Sequence, residues 1–159
     1  MGDFGPLSRL FWENQMSNIV IKTPIVYGST TLVYHFYLES DGNEGELVNY
    51  PLIDPAVDFS DNPGFKDIRP IVTQIWHSFS WFDGLLAFDD LIPAPSWNLP
   101  RDGDNYTDLR YFGGLKDRFI DPKDKKSSER TGKILLTTTD FAPLGSIGTL
   151  IIELRKKQG

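Results

Sequence analysis

The chain has no cysteine among its 159 residues, which excludes disulfides, thiolate metal sites and a cysteine nucleophile. It also has no apolar run near the roughly 20 residues that a membrane-spanning helix needs. Its first residues, MGDFGPLSRLFWENQMSN, lack the basic region and apolar stretch of a secretory signal, so we expect no signal peptide. These absences predict a protein that does not span a membrane and folds without disulfides.

Recognisable catalytic motifs are absent too: there is no GxSxG, HExxH, P-loop or GxGxxG sequence. The two histidines, His35 and His77, both lie in aromatic-flanked segments with strand character, which favours a structural role over metal binding. Two-carboxylate chemistry needs only a pair such as Asp83 with Asp89 or Asp90. Asp83, however, occupies a predicted turn, where aspartate is favoured for backbone reasons. We therefore expect a protein that is not an enzyme and has no cofactor, and we rank a two-carboxylate enzyme last.

The segment Asp102–Asp108 spaces its oxygen donors in a way that suggests a calcium loop. It departs from the EF-hand pattern, because Tyr106 stands where a donor is needed and Thr107 replaces the required glycine. The sequence therefore favours an ordinary turn over a metal site at this position.

Charge is unevenly distributed along this acidic chain, whose net charge is −6. Residues 1–108 contain 16 acidic and 5 basic side chains, whereas residues 109–159 contain 6 acidic and 11 basic ones. The acidic balance argues against nucleic acid as the partner. The asymmetry indicates either an ordinary solvated surface or an acidic and a basic face that attract neighbouring copies.

Alternating polar and apolar residues predict about seven strands and no amphipathic helix of ten or more residues. The segments are Ile19–Val26, Thr30–Glu39, Ile71–Phe82, Leu85–Leu91, Tyr106–Phe112, Gly132–Thr139 and Ser146–Arg155. Gly28-Ser29 and Asp83-Gly84 have the composition of hairpin turns. Many short strands without helices between them predict an all-β fold, a β-sandwich or small barrel of antiparallel strands with long loops.

The sequence divides into an N-terminal arm, residues 1–18, and a single β domain, residues 19–157. The arm is apolar and marginal as an isolated segment in water, so we expect it to dock onto this or another chain through Phe4, Leu7, Phe11 and Trp12. Trp97, in the predicted proline-rich loop IPAPSWNLP, is the best further candidate for an intermolecular anchor, because tryptophan is enriched at interface hot spots.

Two other tryptophans, Trp76 and Trp81, fall in one predicted strand with opposite parity. At most one of them can therefore face the core, and the other needs cover from a loop or another subunit.

The run from Met16 to Lys157 resembles small virion structural proteins of tailed bacteriophages, of the head-decoration (cement) or tail-component type. The resemblance lies in SNIVIKTPIVYGSTTLVYHFYL, in the Trp- and Gly-rich middle, and in TGKILLTTTDFAPLGSIGTLIIELRKK. It implies a decoration protein, assembled in the host cytoplasm, that binds the outside of a capsid in many copies. Its partner would be the major capsid protein or another virion protein, and it would be a homo-oligomer without contact to nucleic acid or membrane.

Two alternatives stay open. A tail or neck component of the same virion would form rings of six or twelve copies, whereas a decoration protein would sit at three-fold or quasi-three-fold points. A carbohydrate-binding sandwich would instead use an exposed row of Trp or Tyr side chains on one sheet face.

Overall fold

A computed structural model of the chain describes residues 17–65, 70–89, 96–101, 104–115 and 132–156. In these ranges nine strands form two antiparallel sheets that pack face to face. The first sheet has the order β1-β2-β9-β4-β7 and the second has the order β3-β8-β5-β6. The predicted all-β sandwich is confirmed, and the barrel alternative is wrong, because the two sheets do not close into one.

The elements have the following bounds. The strands are β1 Ile19–Tyr27, β2 Thr31–Glu39, β3 Tyr50–Ile53, β4 Ile71–Phe79, β5 Asp83–Phe88, β6 Ser96–Leu99, β7 Asp104–Asp108, β8 Ile134–Thr139 and β9 Ile147–Arg155. A single helical turn, α1, spans Pro55–Asp58, and a 3-10 turn spans Arg110–Phe112. The arm through residue 16 and the charged loop 116–130 lie outside the described residues.

The long, alternating strands agree with the sequence. β2 buries Leu32, Tyr34, Phe36 and Leu38 and turns its odd-numbered residues outward, as its alternation predicts. The hairpin at Gly28-Ser29 is also confirmed, since β1 and β2 pair up to Tyr27 and Leu32 on either side of it. Two strands, β3 and β6, lie outside the seven predicted segments. Both are four residues long and lie at sheet edges, which is too short for a period-two pattern to stand out.

The predicted hairpin at Asp83-Gly84 is wrong. β5 begins at Asp83 and pairs with β6 and β8, so the chain changes sheets at Ser80–Phe82 and does not fold back onto β4. Gly84 serves packing and not a turn, because a Cβ there would lie 2.9 Å from Cε2 of Phe79. The predicted strand Ile71–Phe82 therefore ends at Phe79.

The predicted strand Tyr106–Phe112 is shifted. The structure places the strand at Asp104–Asp108 and follows it with the 3-10 turn, so the turn expected at Asp102–Asp108 is wrong for its last five residues. β7 gains its regular geometry from pairing with β4, with Tyr106 opposite Trp76. Tertiary pairing thus overrides the turn-forming composition of this segment.

Aromatic rings fill the core where the chain changes sheets. Phe79 and Phe82 stack with their ring centroids 4.5 Å apart, and Phe141 meets Phe82 edge-on at 4.8 Å. All three side chains are buried. Gly148 of β9 lies beneath this cluster, and a Cβ there would stand 2.6 Å from Cζ of Phe82 and 2.7 Å from Cδ1 of Phe79.

We predict that Gly148→Ala destabilises the domain by about 1–3 kcal/mol, the usual cost of overpacking a core. Alanine would otherwise be preferred in a strand, because glycine loses more backbone entropy on folding. Urea denaturation would measure the change. Thr149→Ala, whose side chain lies on the opposite face of the same strand, is the control and should cost less than about 1 kcal/mol. A Gly148→Ala chain as stable as the parent would contradict this packing.

Candidate protein-docking surface

The anchors predicted from sequence have different outcomes. Phe4, Leu7, Phe11 and Trp12 lie outside the described residues, so their role stays a prediction. Trp97 lies in the edge strand β6, not in a loop as predicted. It pairs with Leu86, shares that residue's inward direction, and is partly buried against the core. Its indole is therefore available only from the open edge of the sandwich.

The two histidines do not converge. His35 lies on the outer face of the five-stranded sheet, opposite Ile151, whereas His77 points inward beside Phe79. The Nε2 of His77 lies 2.8 Å from the carbonyl oxygen of Pro100. Among the residues that the structure describes, no group of three or more His, Asp or Glu side chains is placed to hold a metal ion.

Two of the acidic residues singled out in the sequence, Asp83 and Asp108, form ion pairs. Arg101 donates to Asp83 from Nη2 at 2.7 Å and to Asp140 at the same distance, and its side-chain hydrogen bond lowers the pKa of Asp83. Asp108, from the suggested calcium loop, accepts from Nε and Nη2 of Arg110 at 2.9 and 2.8 Å. These bonds lower the pKa of Asp108 to about 2. Both carboxylates are thereby held in their ionised form by a guanidinium group.

The outer face of the five-stranded sheet carries a continuous row of side chains. Directly opposite residues in an antiparallel pair share a face, so the register defines the row across all five strands. It consists of Thr23, His35, Ile151, Trp76 and Tyr106. A parallel row beside it places Ile21 opposite Tyr37. We call this surface the outer face, and it presents aromatic and aliphatic groups that no described segment covers completely.

Trp76 and Tyr106 form a fixed aromatic pair on the outer face. Their rings stack with centroids 5.1 Å apart and planes inclined by 29°. The Tyr106 hydroxyl donates to Oε1 of Gln74, and Nε2 of Gln74 donates to Oε1 of Glu153 at 2.9 Å. The orientation of the pair is therefore set by a polar chain that ends at Glu153.

Glu153 is nearly buried yet charged. Burial by itself would raise its pKa, but hydrogen bonds from Gln74 and Thr73 and the charge of Arg155 outweigh burial and lower the pKa. Thr73 donates to Oε1 at 2.7 Å and Arg155 donates to it from Nε at 3.1 Å. Thr73 reaches this carboxylate because the β4–β9 register slips between Val72 and Gln74.

One end of the sandwich exposes a tryptophan on an ordered turn. Trp81, between β4 and β5, is 81% exposed and has a φ of 64°, a left-handed conformation that is uncommon for a bulky residue. Its neighbour Ser80 is fixed to the start of β9: the Ser80 amide donates to the Ile147 carbonyl at 3.0 Å, and the Ile147 amide donates to Ser80 Oγ at 2.9 Å. Phe82 on the other side is fully buried.

Further apolar side chains lie at this same end. Leu144, in the β8–β9 loop, is 78% exposed, and Ile147 and Ile19 flank Glu39 on the outer face. We call Trp81, Leu144, Ile147 and Ile19 the Trp81 end. Large exposed apolar side chains grouped on an ordered surface are typical of protein interaction sites.

The loop that carries Leu144 is fastened at its base. Glu46 accepts from the amides of Phe141 and Ala142, each at 2.7 Å, and Ser40 Oγ donates to the Ala142 carbonyl at 2.8 Å. These bonds hold the β8–β9 loop against the loop that follows β2. The apolar groups of the Trp81 end are consequently presented from anchored backbone.

Sequence reasoning missed Trp81 as a site residue. The predicted strand Ile71–Phe82 would put Trp81 on the same face as Phe79, but the strand ends at Phe79, and Trp81 is exposed whereas Phe79 is buried. The sequence did contain a signal for an exposed tryptophan, because Trp76 and Trp81 fall on opposite faces of the predicted strand and so cannot both face the core. Neither is buried: Trp76 is half-buried on the outer face, and Trp81 lies in the turn beyond the strand.

We predict that Glu153→Gln lowers the free energy of unfolding by about 1 kcal/mol at pH 7. Hydrogen bonds to a charged acceptor stabilise a fold more than hydrogen bonds to a neutral one by about this amount. A carboxylate whose pKa is lower in the folded state stabilises the fold at pH values above its pKa in the unfolded chain, which is near 4.3. This stabilisation is lost as the pH falls through the pKa of the folded state. The difference between the two chains should therefore shrink below about pH 4, measured by urea denaturation at a series of pH values. A difference independent of pH would contradict the role of the charge.

Comparison with known proteins adds no identity to this geometry: no protein-family model, curated protein or solved structure matches the chain. None of the helices in the described ranges has the length and apolarity to cross a membrane. The function is therefore argued from the described surfaces and the sequence.

Proposed function

We propose that this chain is a non-enzymatic structural subunit of a virion, a decoration protein that binds the outside of a phage head by packing against the major capsid protein. The observation that carries the proposal is Trp81, a largely exposed indole on a turn whose neighbours are fixed on both sides. Tryptophan is the residue most enriched among interface hot spots, and it gains most when it enters a pocket without losing much conformational freedom.

The surroundings of Trp81 suit a protein partner. Leu144, Ile147 and Ile19 add apolar area at the same end, and the Asp83–Arg101–Asp140 ion pairs lie on strands and loops next to it. An apolar centre with a polar rim is the usual composition of a protein interface. The acidic groups near this end would favour a partner surface that carries basic side chains.

The virion setting rests on the sequence. Its support is the resemblance of residues 16–157 to small virion proteins, together with the absence of recognisable catalytic motifs. An apolar arm that precedes a β domain suits a subunit held in an assembly, because the arm adds contact area beyond the compact domain. Specific interfaces bury about 1,200–2,000 Å² in total, and the Trp81 end and the arm would contribute to it together.

We predict that Trp81→Ala weakens binding to capsid shells by about 2 kcal/mol, roughly 30-fold in dissociation constant, as expected for a hot-spot tryptophan. The free energy of unfolding should stay within about 0.5 kcal/mol of the parent, because the side chain is exposed. Shells purified without the protein and titrated with the variant would give the affinity.

Tyr111→Ala is the matched control, because Tyr111 is 91% exposed in the 3-10 turn after β7. That turn follows the end of β7 that pairs with the first half of β4, away from Trp81. This variant should bind shells like the parent. Equal binding by Trp81→Ala and the parent would overturn the proposed docking surface.

Deletion of residues 1–15 tests the arm separately. We expect the truncated chain to keep its β fold, since residues from 32 to 154 form a closely packed core, and to lose most of its occupancy on the particle. Circular dichroism would monitor the fold and cosedimentation with shells the occupancy. Unchanged occupancy would remove Phe4, Leu7, Phe11 and Trp12 from the interface.

A further inference from the structure

The two open edges of the sandwich differ. On the side of β1 and β3, Phe59 and Phe65 from the segment after α1 are fully buried in the core, and Lys22 of β1 forms an ion pair with Asp58. On the side of β6 and β7, a cleft of about 510 Å³ opens between the two edge strands. Its lining residues are His77, Ser96, Trp97, Asn98, Pro100, Asn105, Tyr106 and Thr107.

This cleft combines aromatic, amide and hydroxyl groups, and among its lining residues none is acidic and His77 alone is basic. Trp97 comes from β6, and Asn105 and Thr107 come from β7 opposite His77 and Ile75 of β4. Amides and hydroxyls both donate and accept hydrogen bonds. An uncharged, amphipathic lining of this kind selects against ions, which would be left without a countercharge.

His77 forms the inner wall of the cleft, and its imidazole is neutral. Burial lowers its pKa, although the hydrogen bond to the Pro100 carbonyl acts in the opposite direction. Its side chain is 4% exposed, and its Nδ1 has no hydrogen-bond partner in the described part of the chain. With Nε2 donating to Pro100, Nδ1 is an acceptor that a ligand hydroxyl or a water could satisfy after a small movement of the wall.

We propose that the cleft between β6 and β7 is a binding site for a neutral sugar. A pyranose ring has an apolar C–H face and a rim of hydroxyl groups, and each part has its counterpart here. The C–H face would pack on the partly exposed Trp97 indole, and the hydroxyl rim would meet the Asn105 amide and the Thr107 hydroxyl, which share the inward face with His77 and Ile75. The edge position leaves room for a longer glycan to extend beyond the cleft.

This site goes beyond the proposed packing function and uses a different part of the molecule. Trp97 lies in the four-stranded sheet at its β6 edge, whereas Trp81 lies in the turn that leaves β4. Many copies on one particle would also compensate for weak single sites, because linked sites can raise avidity by about 10²–10⁴. A decorated shell could thereby attach to a glycan-coated surface.

The test is titration of the full-length protein with neutral monosaccharides and disaccharides, followed by tryptophan fluorescence and by NMR of the amides in β6 and β7. We expect saturable binding of at least one sugar. Asn105→Ala and Thr107→Val, which remove one amide and one hydroxyl at half-buried positions of β7, should each weaken it at least about fivefold. Asn43→Ala, an exposed amide in the loop after β2, is the control and should bind like the parent.

Trp97→Phe keeps an aromatic ring against the core and should weaken binding without unfolding the chain, which Trp97→Ala could do. The absence of sugar binding at about 50 mM ligand would overturn the proposal. Sugar binding that is lost in Trp76→Ala but kept in both cleft variants would also overturn it, because that result would place the sugar on the outer face. Shell binding separates the two functions: Asn105→Ala should occupy shells like the parent, whereas Trp81→Ala should bind sugar like the parent.

Discussion

The packing of Phe79 and Phe82 into one core is the constraint on which the rest of this structure depends. The two rings lie on either side of a turn that carries the chain from one sheet to the other, and both must point inward. Gly84 and Gly148 leave the space that these rings occupy, since a Cβ at Gly148 would collide with both rings and a Cβ at Gly84 would collide with Phe79. With both neighbours directed inward or hydrogen-bonded, Trp81 is left outside in a left-handed conformation.

The same molecule supports its exposed aromatic groups with buried polar ones. On the outer face, the Glu153 carboxylate holds Gln74, which in turn holds the Tyr106 hydroxyl and so the stacked pair with Trp76. At the Trp81 end, Glu46 holds the loop that presents Leu144. Side chains that are ordered before binding lose less entropy when a partner covers them, so these contacts favour docking as well as stability.

The two open edges of the sandwich also differ from each other. At the β1/β3 edge, α1 contributes an ion pair and the segment after it contributes buried phenylalanine side chains, while apolar side chains of β1 stay exposed on the outside. The β6/β7 edge keeps an uncharged cleft beside Trp97. The two proposals therefore use different surfaces: we propose protein docking at apolar side chains on the turns and sugar binding at polar and aromatic groups between the sheets.

The sequence by itself determined the all-β class and the long strands, because an alternating pattern such as that of β2 can bury one face and leave the other half-exposed only as a strand. It also identified tryptophan and the arm as the groups in need of cover. Only the tertiary structure decided which strands pair, that Asp83-Gly84 begins a strand, and that Trp81 is the exposed tryptophan while Trp97 lies at an edge. The reason is that a turn is predicted from the composition of a few neighbouring residues. The direction of a side chain where the chain changes sheets depends instead on packing between residues far apart in the sequence, here Phe82 against Gly148 and Phe141.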